Sequence, residues 1–377
     1  MTLLKNFSIR AAVLLFAALV CLSSGAAQND ASAEAIDAGR LGGAEDLKIA
    51  VFPVVNLSGS AAPITTIRWL LIEALKDADA TVIADDVLDS VMAKYRVRYI
   101  GGLDQPTARA MRQEAGVDGV LITSLELYNE ITPPKIAITS RLVSTGSPVE
   151  ILWIDGVGLA GDDDPGLLAI RLVKDPQRLL RRAVHHLAQS LTDFLSGQRK
   201  RLDLHPPPKK FSPGHIYRST APLAVKTPKV AVVPFFNPSA RSFGGEILAL
   251  HFIRQLWALE NFHVIEPGLV RQQLLEFRIV MDSGISLADV DVIALRLNAD
   301  FVLNGKVIDY QDYQGYNGTA KVDFSAQLIE RVSRETFWSV KSHHQGNDGV
   351  FFFDWGKVNT AYALASDMVQ LAVETIE

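Results

Sequence analysis

Cysteine is almost absent from this chain: of 377 residues, only Cys21 carries a thiol. A single cysteine forms no internal disulfide, so packing alone must hold the core. Charge of one sign is lacking too. There are 37 Lys and Arg against 42 Asp and Glu, a formal net charge of −5. A nucleic-acid binder needs a concentrated basic face, and this balance argues against one. Long apolar runs are missing as well. Ala11–Leu22, twelve residues, is too short to span a bilayer comfortably, and no later stretch is both longer and uncharged. Finally, there is no GxSxG and no P-loop, so covalent and phosphoryl-transfer chemistry has no visible apparatus.

What is present is globular: 48% hydrophobic and 21% charged residues, in a length that accommodates two domains plus tails. The amino terminus has the layout of a secretion signal over residues 1–27. Lys5 and Arg10 form its basic region, Ala11–Leu22 its apolar run, and Ser23 to Ala27 a small-residue cleavage site. Removing Lys5 and Arg10 leaves 35 basic residues against 42 acidic ones, about −7. The residues favour cleavage near Ala27. The alternative is a lipoprotein acylated at Cys21, for which Val20 is a poor preceding residue. Residues 28–46, rich in Ala, Gly and acids, form a flexible leader.

One stretch is written twice. Lys48–Ser58 (KIAVFPVVNLS) and Lys229–Ser239 (KVAVVPFFNPS) share six of eleven positions. Each opens a segment of about 150 residues, the size of an ordinary domain. The nearly continuous apolar character of both predicts a strand covered on two faces, with Asn56 and Ser58 starting a turn. A helix over Ile64–Leu75 follows, then a short strand at Thr81–Ile83 and a helix opened by Asp85 and Asp86. Gly101-Gly102 breaks the chain, and Pro106 opens a helix that ends at Gly116. Strands are predicted at Gly119–Leu127, Lys135–Val143 and Val149–Val157, and a long amphipathic helix at Pro176–Leu195.

Residues 197–228 change texture, with Arg199-Lys200-Arg201, Pro206-Pro207-Pro208 and Lys209-Lys210, and are expected to be a semi-extended linker. The order of elements then repeats. Residues 81–128 align without a gap on 263–310: Val82-Ile83 on Val264-Ile265, Arg96 on Arg278, Gly102 on Gly284, Asp118 on Asp300, Tyr128 on Tyr310. Trp153 and Trp338 fall in the corresponding late strand. Matches in one order over a whole unit indicate duplication. The expected architecture is α/β: two tandem similar domains, 47–196 and 229–377, each a mixed sheet packed by helices in β-α-β-α-α-β-β-β-α order.

An apolar strand ending in Pro-aromatic-Asn-x-Ser, followed by this order of elements, resembles a group of exported bacterial domains. The group has an anticodon-binding-domain-like α/β fold. It includes the amino-terminal domain of TolB, the periplasmic part of the curli secretion protein CsgG, and the LpoB lipoprotein. The pattern is carried by Pro234, Phe235, Asn237, Ser239, Asp300 and Gly305, and more loosely by Pro53, Asn56, Ser58 and Asp118. The first copy departs from it at Val54, in place of the aromatic, and at Thr123, in place of the glycine. The resemblance implies domains used for protein–protein contact at the cell envelope.

Other motifs have plainer origins. Gly156-Val157-Gly158-Leu159-Ala160-Gly161 matches GxGxxG, but three aspartates, Asp162 to Asp164, and Pro165 follow where a phosphate-binding helix should begin. Those aspartates lack the spaced ligand loop of a calcium site. His185-His186 and His343-His344 are adjacent pairs whose members point in different directions and make no chelate. Neither a cofactor nor a metal site is therefore expected. Phe351, Phe352 and Trp355 form an apolar cluster outside the repeat. They are candidate partner contacts, against the competing possibility that they cover the second sheet. Tyr128 and Tyr310, at equivalent strand ends, are the other candidates.

The expected function is that of an exported, non-catalytic periplasmic or outer-membrane-associated protein that binds or assembles envelope proteins. Its membrane contact would come only through Cys21. One alternative is a secretion-apparatus subunit of the CsgG type, which the short connections Tyr128–Lys135 and Tyr310–Lys321 disfavour, since a barrel needs added strands of about ten residues. The other is an enzyme with an interdomain cleft.

Overall fold

The computed structural model describes residues 47–163, 172–198, 206–223, 225–259, 261–281, 284–350 and 356–376. The first half runs β1 Lys48–Val51, β2 Val55–Asn56, α1 Ile64–Asp77, β3 Thr81–Val82, α2 Asp85–Lys94, α3 Gln105–Ala115, β4 Gly119–Asn129, β5 Lys135–Ser144, β6 Ile151–Ala160 and α4 Pro176–Leu195. The second runs β7 His215–Arg218, β8 Lys229–Val232, α5 Gly244–Ala258, β9 His263–Val264, α6 Pro267–Glu276, α7 Leu287–Leu297, β10 Phe301–Gln311, β11 Lys321–Glu330, β12 Thr336–Gln345 and α8 Ala361–Val373. The fold is thus α/β with two six-stranded mixed sheets. The first has the order β3-β1-β4-β5-β6 with β2 beside β4, the second β7-β12-β11-β10-β8-β9.

The doubled stretch forms β1 and β8, each paired in parallel with its neighbours on both sides. The backbone N–H of Lys48 donates to Asp118 at 3.1 Å and that of Lys229 to Asp300 at 2.8 Å. That contact pins the strand start in both copies and accounts for the repeated aspartate. Past each strand, Asn56 Oδ1 accepts from Ser58 Oγ and Asn237 Oδ1 from Ser239 Oγ, each at 2.6 Å. Each Asn also donates to a carbonyl four residues on, Ser60 or Arg241. This local bonding turns the chain toward α1 and α5.

The two departures of the first copy belong together. A Cβ on Gly305 would stand 2.5 Å from the Phe235 ring. A large aromatic against a glycine in one half corresponds to Val54 and Thr123 in the other, a medium pair in place of a large and small one.

Finer irregularities recur as well. Pairing shifts between Leu125 and Leu127 and between Val307 and Asp309, so Glu126 and Ile308 occupy equivalent bulges. Trp153 Nε1 donates to Ser190 at 3.4 Å and Trp338 Nε1 to Thr375 at 2.9 Å, tying the late strand to the closing helix in each half. Arg96 and Arg278 both have φ of 53°, one residue beyond the caps of α2 and α6.

Part of the Pro-rich connector joins the second sheet. Its β7 pairs with β12, and Phe211 is fully buried in the second-half core. Phe211 alone anchors this segment in the core, while Ile216 and Tyr217 on β7 remain exposed at the sheet edge.

The halves pack as one body. One face of the first sheet carries α1 and α4, with Ile67, Leu71 and Leu187 against Leu121, Ile138 and Trp153. On the other face, α2 and α3 cover the β1 end, while α5 and α8 of the second half cover β6. All ten residues of β5 are buried for that reason. Helix α5 is correspondingly apolar almost all round, as expected of a helix between two sheets. In the second sheet, α5 and α8 cover one face and α6 and α7 the β8 end of the other. Among the described residues the rest of that face is uncovered, and β11 alternates between buried and half-buried residues, the pattern of a sheet with one wet face.

Candidate functional site

The junction between the halves combines a buried polar layer with an apolar cavity at its margin. The polar layer begins on β5, where alternate residues Lys135, Thr139 and Arg141 point away from α1 and α4 toward the second half. Arg141 grips Glu266 through Nε and Nη2, both at 3.1 Å, with the side chains 1% and 0% exposed. Glu266 Oε1 also accepts from the N–H groups of Leu103 and Gly268, at 3.1 and 3.3 Å. The carboxylate thus caps α6 while pinning it to the first half. The backbones of Gly102 and Gly268 touch beside it, at a spacing that a Cβ on either residue would prevent.

Further along β5, the Lys135 ammonium donates to the Asn359 carbonyl at 2.8 Å and lies over the Tyr313 ring, 3.0 Å from its centroid. Burial pushes its pKa down to about 8. Thr139 Oγ1 meets Tyr362 Oη at 3.1 Å. At the edge strand, Asp155 accepts from Arg254 Nε and Nη2 at 3.2 and 3.0 Å. At the bulge, Glu126 faces His251 with Oε2 and Nε2 4.0 Å apart, both groups buried. Burial pushes Glu126 up to about 8 and His251 down to about 3. Glu126 therefore carries its proton and His251 lacks one at neutral pH.

This layer also explains the GxGxxG motif. Gly156 and Gly158 lie under the Tyr362 ring, and a Cβ on Gly158 would come within 2.5 Å of it. Gly161 faces the Val173 carbonyl and the Pro134 ring. The three glycines make room for protein. The Asp163 carboxylate accepts from the Ala160 N–H at 2.6 Å and from Asn359 at 3.3 Å, so it ties this turn to the second half. Asp164 lies outside the described residues.

At the margin of the layer lies a cavity of 550 Å³ lined by both halves. Val55 and Leu57 form its first-half wall; Leu250, Ile253, Val270 and Leu274 form its second-half wall. Its mouth carries Phe243, Leu275 and Val280, which are 44%, 60% and 71% exposed. The polar groups among its lining include Tyr99, Arg271 and Glu246; the Arg271 guanidinium stacks on the Tyr99 ring, 4.0 Å from its centroid. Volume and lining fall within the range of ligand and anchor pockets, about 300–1,000 Å³.

The described residues among those singled out in the sequence sit elsewhere. Tyr128 is a core ring whose hydroxyl donates to Glu130 at 2.7 Å. Tyr310 is buried in the second-half core, where burial drives its pKa well above the ordinary value. Cys21, Phe351, Phe352 and Trp355 lie outside the described residues. His185 and His186 are exposed on α4. His343 bonds Asp323 at 3.1 Å, while His344 bonds Asp348 and the Ser212 carbonyl. No group of three or more His, Cys, Asp or Glu able to hold a metal occurs among the described residues, and no described helix is long and apolar enough to cross a membrane. The cavity was not visible in the sequence because its walls come from separate segments whose apolar residues look like ordinary core.

No protein-family model matches the chain, and no curated protein matches it. Solved structures to which it is similar include a PelC dodecamer from Paraburkholderia phytofirmans, at 18% identity, covering 43% of this chain and 96% of that one, with a TM-score of 0.31. Another is the lipoprotein GNA1162 from Neisseria meningitidis, at 19% identity, covering 38% and 98%, with a TM-score of 0.28. A third is the LpoB C-terminal domain from Salmonella enterica, at 16% identity, covering 30% and 82%, with a TM-score of 0.26.

Proposed function

We propose that this chain is an exported, non-catalytic protein of the bacterial cell envelope that binds envelope proteins, and that the cavity between its halves receives an apolar segment of a partner. The observation that carries this reading is the mouth of the cavity: Phe243, Leu275 and Val280 stand exposed around an apolar hollow. Isolated apolar residues on a surface are ordinary, but a cluster that rims a cavity marks a binding site. Aromatic and aliphatic anchors seated in such pockets carry most of the energy of protein association. Export follows from the signal-like layout of residues 1–27, and the mass of the mature amino terminus distinguishes cleavage near Ala27 from acylation at Cys21.

The test is site-specific photocrosslinking in the native envelope, with the crosslinker at Leu275 and, as a remote surface control, at Val332, which is 81% exposed. An envelope protein captured at 275, absent at 332 and lost when Val280→Glu is added supports the reading. Capture of no protein at 275, with turnover of a small molecule by the purified chain, would sink it and favour an enzyme with an interdomain cleft.

A further inference from the structure

The two halves share one fold but differ in what covers the wet face of their sheets. In the first half, the β5–β6 end is roofed by α5 and α8 of the second half. In the second half, the equivalent surface is an open groove of 570 Å³ whose floor includes Asn304, Lys306, Ser325, Gln327 and Lys341. The helices that would roof it by repetition, α1 and α4, lie on the outside of the first half, with nothing over them among the described residues. The fold thus carries both halves of a second contact, and the described residues use neither internally. We propose that copies of this chain associate head to tail, the outer face of α1 and α4 in one copy covering the open groove of the next.

The equivalence of the helices follows from their cores. Ile67, Leu71 and Leu75 on α1 match Leu248, Phe252 and Leu256 on α5, and the two helices end at the matching residues Asp77 and Ala258. On the closing helices, Ser190 matches Thr375 as the partner of the strand tryptophan. Each contact inside the chain can then be translated into the contact it would become between chains.

The buried pair His251 and Glu126 becomes Leu70 and Ile308. A polar couple is replaced at both positions by apolar residues, and Ile308 is 40% exposed on the groove side. Leu250, which shares a buried cluster with Leu57, becomes Trp69 opposite Pro238 and Phe236. Trp69 is 58% exposed, and Phe236 lines the groove. Tyr362 over Gly156 and Gly158 becomes the shorter Gln177 over Lys341 and His343, so size is exchanged between the two sides. The Thr139–Tyr362 hydroxyl contact becomes Ser325 with Gln177, again a pair able to hydrogen-bond. The Arg254–Asp155 ion pair becomes Glu73 facing Val340, and Ser366 beside Arg254 becomes Arg181, which sets an opposite charge beside Glu73 on its own copy. None of these pairs sets like charges against each other. Two large apolar residues exposed without purpose in the single chain, Trp69 and Ile308, both fall inside the contact.

Such a contact is heterologous, so its repetition gives a ring where the rotation closes and a filament where it does not. It uses surfaces other than the cavity mouth, and its failure leaves the partner-binding reading untouched.

The experiment is crosslinking between two differently labelled full-length chains, each in a Cys21→Ser background. One carries Gln177→Cys and the other Ser325→Cys, both substitutions at the surface, and a short bismaleimide joins the thiols. Covalent dimers in the mixture and in neither chain alone are expected, together with a mass above that of one chain by light scattering. Trp69→Ala or Ile308→Asp should weaken the association at least ~10-fold, the loss of one interface anchor. A monomeric mass up to high protein concentration with no mixed crosslink overturns the proposal. So does a two-fold dimer in which Gln177→Cys chains crosslink to one another.

Discussion

Arg141 and Glu266 form a bidentate ion pair at 3.1 Å, sealed from water and contributed by opposite halves of the chain. The equivalent positions in the other copies are Gln327 and Ala84, which make no such pair. The pair therefore belongs to the union of the halves and not to the repeated fold. Loss of either partner leaves a buried charge without compensation, at a cost of about 3–5 kcal/mol. Arg141→Ala and Glu266→Ala should each lower the urea midpoint accordingly. The double variant should be destabilised by less than the sum, and additivity would show that the two do not act as a pair.

Tyr362 fits only because residues 156 and 158 lack side chains. Gly156→Ala would drive a methyl group into the Tyr362 hydroxyl and should destabilise by about 1–3 kcal/mol, the usual range for overpacking. Adding Tyr362→Phe removes the offending oxygen and should recover part of that loss. Thermal melts of the two single variants and the double variant decide the matter. An undiminished loss in the double variant would place the strain elsewhere.

Glu126 and His251 make stability depend on pH in opposite senses. Between pH 3 and 6.5 the unfolded chain binds a proton on His251 that the folded chain does not, so this residue makes stability rise with pH. Between pH 4.5 and 8 the folded chain keeps a proton on Glu126 that the unfolded chain has lost, so this residue makes stability fall. The two effects oppose each other from 4.5 to 6.5. Above 6.5 Glu126 acts without His251, with a slope of at most ~1.4 kcal/mol per pH unit. Glu126→Gln should flatten the decline between pH 6.5 and 8 in urea titrations. An unchanged slope would assign the decline to another group.

The cavity mouth can be altered without touching the core. Leu275→Glu and Val280→Glu change exposed residues, and each should alter stability by no more than ~0.5 kcal/mol. Both should reduce fluorescence of an apolar dye bound to the native protein. Full dye binding in the double variant would move the apolar site away from this mouth.

Much of the fold was legible from residues alone. The doubled strand and the Pro176–Leu195 helix depend on local pattern and stand as expected, whereas the matched Asp118 and Asp300 acquire their role from strand starts some 70 residues away. The GxGxxG segment shows where local reasoning stops. Its sequence context spoke against a nucleotide, but nothing near it pointed to Tyr362, which lies two hundred residues on and reaches it only through the packing of the halves. Similarly, Lys135, Thr139 and Arg141 resemble the wet face of a strand, which is the role their counterparts Lys321, Ser325 and Gln327 keep on β11 of the second sheet.

Sequence by itself determined the α/β character and the order of elements in each half, because strand and helix periodicity and the Asn–Ser turn are set by neighbouring residues, and the opening stretch is written twice. Only the tertiary structure decided that the two copies are unequal. Burial depends on what a surface meets: the same sheet face is roofed in one half and open in the other, so equivalent positions hold Arg141 in one and Gln327 in the other. The repeated strand that identifies the halves is the same in both. What distinguishes them, and with it every candidate site, lies in the faces that one half presents to the other.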